Sequence, residues 1–186
     1  FHRMKYQAPH LNSYNQEFVR EARRLRPAIL AFAVGAASSF PGTAEAAAMS
    51  AAMQERIVCS IAAAQQYGLP ANAMLAVAEQ EAGKPGQAVR NTNGTFDLGS
   101  LQFNTSYVRT LAKYGIRYQD VQASGCYPYA LAAWRIRRHV QYDKKGDFWT
   151  RVANYHSYTP VHNQRYRALI ISKARRWHAW LTGGNK

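Results

Sequence analysis

Acidic side chains are scarce in this chain. Its 186 residues include ten Asp and Glu against 24 Lys and Arg, a formal charge of +14 at neutral pH. That imbalance points to an anionic partner or environment (nucleic acid, an anionic membrane surface, a cell-wall polymer) or to charge that serves only solubility. It also means that any chemistry needing paired carboxylates has few to draw on. Cysteine is scarcer still. Cys59 and Cys126 are not spaced as zinc ligands. The six His form no H-E-x-x-H or similar pattern, so no metal and no cofactor are expected. No repeat of fixed period is visible, which argues against solenoids and propellers. No helix-turn-helix, zinc or RNA-binding signature accompanies the charge, so no nucleic-acid partner is expected. The apolar stretch Ala28 to Phe40 is too short to predict a transmembrane helix.

That stretch has the order of an export segment. Phe1 to Glu21 is polar and unpatterned. Arg20, Arg23, Arg24 and Arg26 form a basic flank, Ala28 to Phe40 an apolar run, Pro41-Gly42 a break, and Ala44-Glu45-Ala46 a small-x-small cleavage site. The alternative is a buried core helix. Residues 1–46 are therefore expected to be a polar leader plus signal peptide, or an uncleaved inner-membrane anchor, and the product is expected in the periplasm. Beyond residue 46 remain 18 basic and seven acidic side chains. In an oxidising compartment Cys59 and Cys126 would pair, closing a loop whose constraint is worth ~4 kcal/mol on the chain-entropy model; without export they are two separate buried thiols.

Hydrophobic content of 47% is enough for a sizeable core. The pattern predicts a mostly α single domain over residues 47–182, about six helices with a small β-hairpin or loop region, and a tail over 183–186. Ala51 to Tyr67 is read as a helix with Ile57, Val58, Ile61 and Ala64–Gln65 inward, closed by Gly68. A second helix begins at Pro70 and stops at Gly83, Pro85 and Gly86. Asn93-Gly94 signals a turn, and Thr95 to Leu98 a short hairpin, the one piece of β-structure expected. Ser100 to Tyr114 is read as partly helical, Gly115 to Gly125 as a connector. Pro128 opens a helix to about Asp143 whose Arg135, Arg137 and Arg138 are largely solvated. Asp147 caps Phe148 to Tyr155, Ser157 to Pro160 is a loop, and Asn163 caps a last helix, Gln164 to Leu181.

The chemistry gathers at the end of the second helix. Glu81 shares a face with Met74, Val77 and Ala78, whereas Glu79 points to the other side, toward solvent. A carboxyl on the inward face at a helix C-terminus meets low polarity and the negative end of the helix dipole, and both raise its pKa. A general acid near neutral pH needs that shift. The alternative is an inert boundary residue.

Glu81-Ala82-Gly83, Asn91-x-Asn93-Gly94-Thr95-Phe96-Asp97-Leu98-Gly99, Ser100-Leu101-Gln102-Phe103-Asn104 and Val152-Ala153-Asn154-Tyr155-His156-Ser157 follow one another in order. Together they resemble lytic transglycosylases of the goose-lysozyme-like (SLT domain) type, with the nearest likeness to the small single-domain enzymes of type IV secretion, conjugation and pilus systems. The family pattern runs E-S-G, N-x-N-G-T-x-D-x-G-L-M-Q-I-N and A-x-x-Y-N-S, and the likeness covers about Glu55 to Arg176. It implies a lysozyme-like fold and a single acid/base, Glu81. That group protonates the glycosidic oxygen between N-acetylmuramic acid and N-acetylglucosamine, then deprotonates the sugar's C6 hydroxyl to give a 1,6-anhydro product. It also implies a substrate cleft of Gln102, Asn104, Tyr155, Gly99 and Ser100. Tyr155 is expected to stack on a ring or aim its hydroxyl at the acid, and Gly99 to let the backbone approach the sugar. Asp97 is expected to hold its turn rather than act as a second carboxylate. Ala82 and His156 depart from the family's Ser and Asn.

Two further functions compete: a lysozyme-like hydrolase, and a non-catalytic peptidoglycan-binding assembly protein. The expected partners are glycan strands and components of a secretion or conjugation apparatus, with the membrane involved only through an uncleaved leader.

Overall fold

Ser50 starts the first helix of the described chain by accepting the Met53 amide on its hydroxyl, and local signals of this kind set most of the helix ends. The structure, a computed structural model, describes residues 49–183; the leader expected over 1–46 and the tail residues 184–186 lie outside the described residues. Helix α1 is Ala51–Tyr67, closed by Gly68 in the left-handed conformation. Its inward stripe is Ile57, Ser60 and Ala63–Ala64, displaced from the expected one, and Val58 is 63% exposed. Small residues on that stripe let α1 lie close to its neighbours.

Helix α2, Ala71–Glu81, starts one residue after Pro70, which is its cap. Six consecutive residues, Ala73 to Ala78, are buried, so this helix has no solvated face along its middle and runs through the core. It ends because Ala82, not Gly83, turns left-handed at φ 49°.

Three short antiparallel strands follow: β1 Ala88–Arg90, β2 Phe96–Leu98 and β3 Phe103–Asn104, in that spatial order. Asp97 faces Val89 on one side and Asn104 on the other. The expected hairpin is thus present with a third strand added. Residues 100–104 are not helical, because Gln102 sits at φ 48°, a conformation that interrupts a helix. Asn104 instead caps α3, Thr105–Leu111, accepting the Ser106 amide. A 3₁₀ turn, Ala112–Tyr114, ends at left-handed Gly115.

The expected connector contains a short helix, α4, Tyr118–Gln122, where Asp120 accepts the Arg117 amide. Helix α5 is Tyr127–Tyr142 with Pro128 in its first turn. Asp147 caps α6, Phe148–Ala153. The last helix, α7, is Pro160–Leu181 and begins before the expected Asn163 cap. Asn163 is instead buried within it, donating to Asn154 Oδ1 and to the Thr150 and Ser157 carbonyls.

Helix α2 packs on α1 and α7, α1 also on α5, and α6 bridges α5 and α7. The result is a mostly α fold with one small sheet beside the C-terminal end of α2. Cys59, midway along α1, is disulfide-bonded to Cys126 at the cap of α5. No described helix is long and apolar enough to cross a membrane.

Candidate active site

The seven carboxylates beyond residue 46 are easily sorted by what each one holds. Glu55 accepts the Gly125 amide. Asp120 and Asp147 cap helices. Asp143 takes the Asn154 amide at 2.8 Å and faces His139 Nδ1 at 3.0 Å. Glu79 does not point to solvent as expected: it accepts from Trp177 Nε1 at 2.7 Å and Arg176 at 2.8 Å, with Lys173 at 3.4 Å. It ties α2 to α7. The remaining two, Glu81 and Asp97, face one cleft of about 400 Å³, together with Gln102, Asn104, Arg135, Tyr155 and His156.

Glu81 is half-buried at the last residue of α2. Tyr166 of α7 donates its hydroxyl proton to Glu81 Oε1 at 2.5 Å. Removal of the carboxyl from water pushes its pKa up to about 7; the Tyr166 hydrogen bond and the Arg135 charge pull it down, and Asp97 adds to the rise. The proton is therefore present on a large fraction of molecules at neutral pH. Tyr166 itself is held well above the usual phenol range by burial and by the adjoining carboxyl, so it remains a donor.

Arg135, which the sequence pattern places among solvated residues, also borders the cleft. Its guanidinium lies over the Tyr107 ring at 4.0 Å and the Tyr155 ring at 4.6 Å. The two rings hold a cation at the cleft without neutralising it. His156 stacks on Tyr166, the ring centroids 4.7 Å apart and the planes nearly parallel. Burial lowers its pKa, so the imidazole is neutral at pH 7 and able both to donate and to accept.

The other expected site residues divide. Gln102 lines the cleft, with its Nε2 donating to the Gly99 carbonyl at 2.8 Å. Asn104 also lines it, but both its amide hydrogens are engaged: Nδ2 donates to Asp97 Oδ1 and to Thr95 Oγ1, each at 2.9 Å. Thr95 Oγ1 in turn receives Asn91 and donates to Asn93. The Asn-x-Asn-Gly-Thr stretch thus builds the turn that sets Asp97 and Asn104 at the cleft. Tyr155 reaches the cleft, yet its hydroxyl donates to the Leu101 carbonyl at 2.7 Å rather than to the acid. That bond ties α6's end to the loop before β3; the phenol that meets Glu81 is Tyr166.

Two of the expected site residues lie outside the lining of this cleft. Ser100 is 3% exposed and is not among the cleft residues. Gly99 makes its close approach to protein: a Cβ there would lie 2.1 Å from the Val121 carbonyl. Gly83 carries a similar constraint toward the site, since a Cβ on it would lie 2.1 Å from the Gly99 carbonyl and 2.6 Å from Gln102 Nε2. Glycine at 83 and 99 therefore lets the end of α2, the 99–102 turn and α4 close on one another.

Among the described residues, no group of three or more His, Cys, Asp or Glu comes together to hold a metal. What the cleft offers chemically is one carboxyl able to give and retake a proton near pH 7, a neutral imidazole, an amide and an aromatic-held cation. No family model matches the chain, and no curated protein matches it in sequence.

Proposed function

We propose that the chain is a peptidoglycan lytic transglycosylase with Glu81 as its only acid/base. The supporting observation is that Glu81 alone among the carboxyls beyond residue 46 combines a place in the polar cleft with a pKa raised to about 7. Asp97, the other cleft carboxylate, is hydrogen-bonded into the Asn104–Thr95 turn. A single acid suits a reaction in which the substrate supplies the second group. Protonated Glu81 gives its proton to the glycosidic oxygen as the bond from N-acetylmuramic acid C1 breaks. The N-acetyl group of that sugar supports the cation at C1. Glu81, now a carboxylate, removes the proton of the C6 hydroxyl, whose oxygen closes on C1. The Glu81 carboxyl is regenerated and no water is consumed.

The basic surface and the disulfide fit an exported enzyme at an anionic envelope, and opening the wall locally for a secretion, conjugation or pilus apparatus is the role we assign. A hydrolytic alternative draws on Asp97, which shares the cleft with Glu81 and so could direct a water. Digestion of purified sacculi followed by mass analysis separates the possibilities. Anhydro-muropeptides that disappear with Glu81→Gln are expected. Reducing-end products indicate hydrolysis, and sacculus binding without soluble product indicates a non-catalytic wall-binding protein.

A further inference from the structure

A second cavity, of about 360 Å³, adjoins the first: Arg135 lines both. The Arg135 guanidinium thus borders both the Glu81 cleft and this neighbouring cavity. The composition of this second cavity is unusual. Lys113, Arg135 and Arg138 all line it, and each lies over an aromatic face: Lys113 over Tyr114 at 5.0 Å, Arg135 over Tyr107 at 4.0 Å and Arg138 over Trp134 at 5.0 Å. Among the described residues none of the three forms an ion pair with a carboxylate; the ion pairs engage His139, Arg167, Lys173 and Arg176.

The one acid of this cavity, Asp143, is already occupied. Its carboxylate accepts from Asn154 and meets His139 Nδ1, with the Tyr158 hydroxyl alongside at 3.4 Å. Arg135 and Arg138 are half-buried against their rings and Lys113 is exposed beside Tyr114; a ring face attracts a cation through its quadrupole and leaves the charge without a counter-ion. Arg135, against two rings, and Arg138 are placed before a ligand arrives, which lowers the ordering cost of binding an anion. Rings and cations together suit a carboxylate on a chain with apolar or planar parts.

We infer that this cavity binds a carboxylate-bearing substituent of the glycan held in the Glu81 cleft, so that carboxylate-bearing strands are preferred over neutral ones. The inference rests on the transglycosylase proposal for the identity of the glycan. The carboxylate has two sources, the stem peptide or the lactyl group of a bare muramic acid.

The test uses the full chain carrying Glu81→Gln, so that ligands survive, and calorimetric titration with soluble muropeptides. The probes are fragments with intact stem peptides, the same fragments with their carboxylates amidated, and fragments stripped of peptide that retain the lactyl carboxylate. Amidation is expected to weaken binding about tenfold, the value of one charge-assisted hydrogen bond. Adding K113Q and R138Q together is expected to bring that ratio close to one. Arg138→Lys, which keeps the charge, preserves discrimination, and an unchanged affinity of the double variant for the amidated fragments shows that it has not simply unfolded. Arg137→Gln, which removes one positive charge at an exposed position of the helix that carries Arg138, keeps the full ratio. Stripped fragments binding as well as intact ones identify the lactyl group; stripped fragments binding like amidated ones identify the stem. A ratio near one in the Glu81→Gln protein, or a full ratio in the double variant, overturns the inference. If the parent, with Glu81 intact, forms anhydro products from sacculi in that case, the carboxylate site fails alone. Discrimination in the Glu81→Gln protein when the parent, with Glu81 intact, cleaves no glycan instead overturns the transglycosylase proposal and leaves the cavity as a carboxylate site.

Discussion

Tyr166 donates its hydroxyl proton to Glu81 Oε1 at 2.5 Å, across 85 residues of sequence. The bond sits at the junction of the core helix α2 with α7, and it favours the ionised form of a carboxyl that burial keeps protonated. The two effects are opposed, and burial is the larger. Glu81 is thereby held by a donor while keeping a pKa suited to giving up a proton and taking one back.

Tyr166→Phe tests that opposition. Removing the donor removes a force that lowers the Glu81 pKa, so the alkaline limb of kcat/KM for glycan cleavage moves to higher pH. Activity at neutral pH is expected to fall by about tenfold, the value of one hydrogen bond to a charged group. A pH–rate profile of the variant against the parent measures both effects. A limb that moves to lower pH contradicts the assignment.

Glu81 also leaves a signature in stability. Its folded pKa, about 7, lies above the ordinary 4.5. Between these values the folded chain holds the proton and the unfolded chain does not, so this group's contribution is fully present below about 4.5, falls as pH rises toward 7, and is constant above. Glu81→Gln keeps an acceptor for Tyr166 and removes the titration. The variant is expected to be more stable than the parent at pH 8 by ~1–3 kcal/mol, the lower end applying because the cleft admits water. That advantage shrinks toward pH 5. Urea unfolding at the two pH values checks it, and a difference independent of pH contradicts the raised pKa.

Gly83 is tested through its neighbours. A methyl group there meets the Gly99 carbonyl, a backbone atom with nowhere to go, and the Gln102 amide. Gly83→Ala is expected to cost about 1–3 kcal/mol of stability and to lower glycan cleavage by displacing Gln102. Gly68→Ala is the comparison. Its Cβ meets nothing within 4 Å, although φ is +60°, so strain of about 1 kcal/mol lowers stability and leaves activity intact. Equal activity losses in the two variants contradict the role given to Gly83.

Much of this architecture was legible because its causes are local. The spacing of Glu81 from Met74, Val77 and Ala78 put the acid on the inward face, and Gly68, Gly115 and Asp147 end or cap helices where such residues do so by their own geometry. The rest depends on partners that sequence spacing does not bring together. Tyr166 is one tyrosine among twelve, and nothing near it in the chain names Glu81. Arg135 sits on a helix face with other basic residues and reads as solvated, yet two rings take its guanidinium. Helix phase alone turns Glu79 outward, and it cannot register that α7 crosses that side of α2. Gln102 at positive φ has no local marker, since glutamine rarely adopts it. The five-residue α4 is too short for a period to declare itself. The excess of basic residues shows in the composition, but only the packing shows Lys113, Arg135 and Arg138 lying over rings around one cavity.

The protonation of Glu81 is open to direct observation. Titration of its side-chain carboxyl carbon by NMR, assigned by loss of the signal in Glu81→Gln, is expected to give a midpoint near 7, moving upward in Tyr166→Phe. A midpoint below about 5, in the ordinary glutamate range, would contradict a general acid at this position.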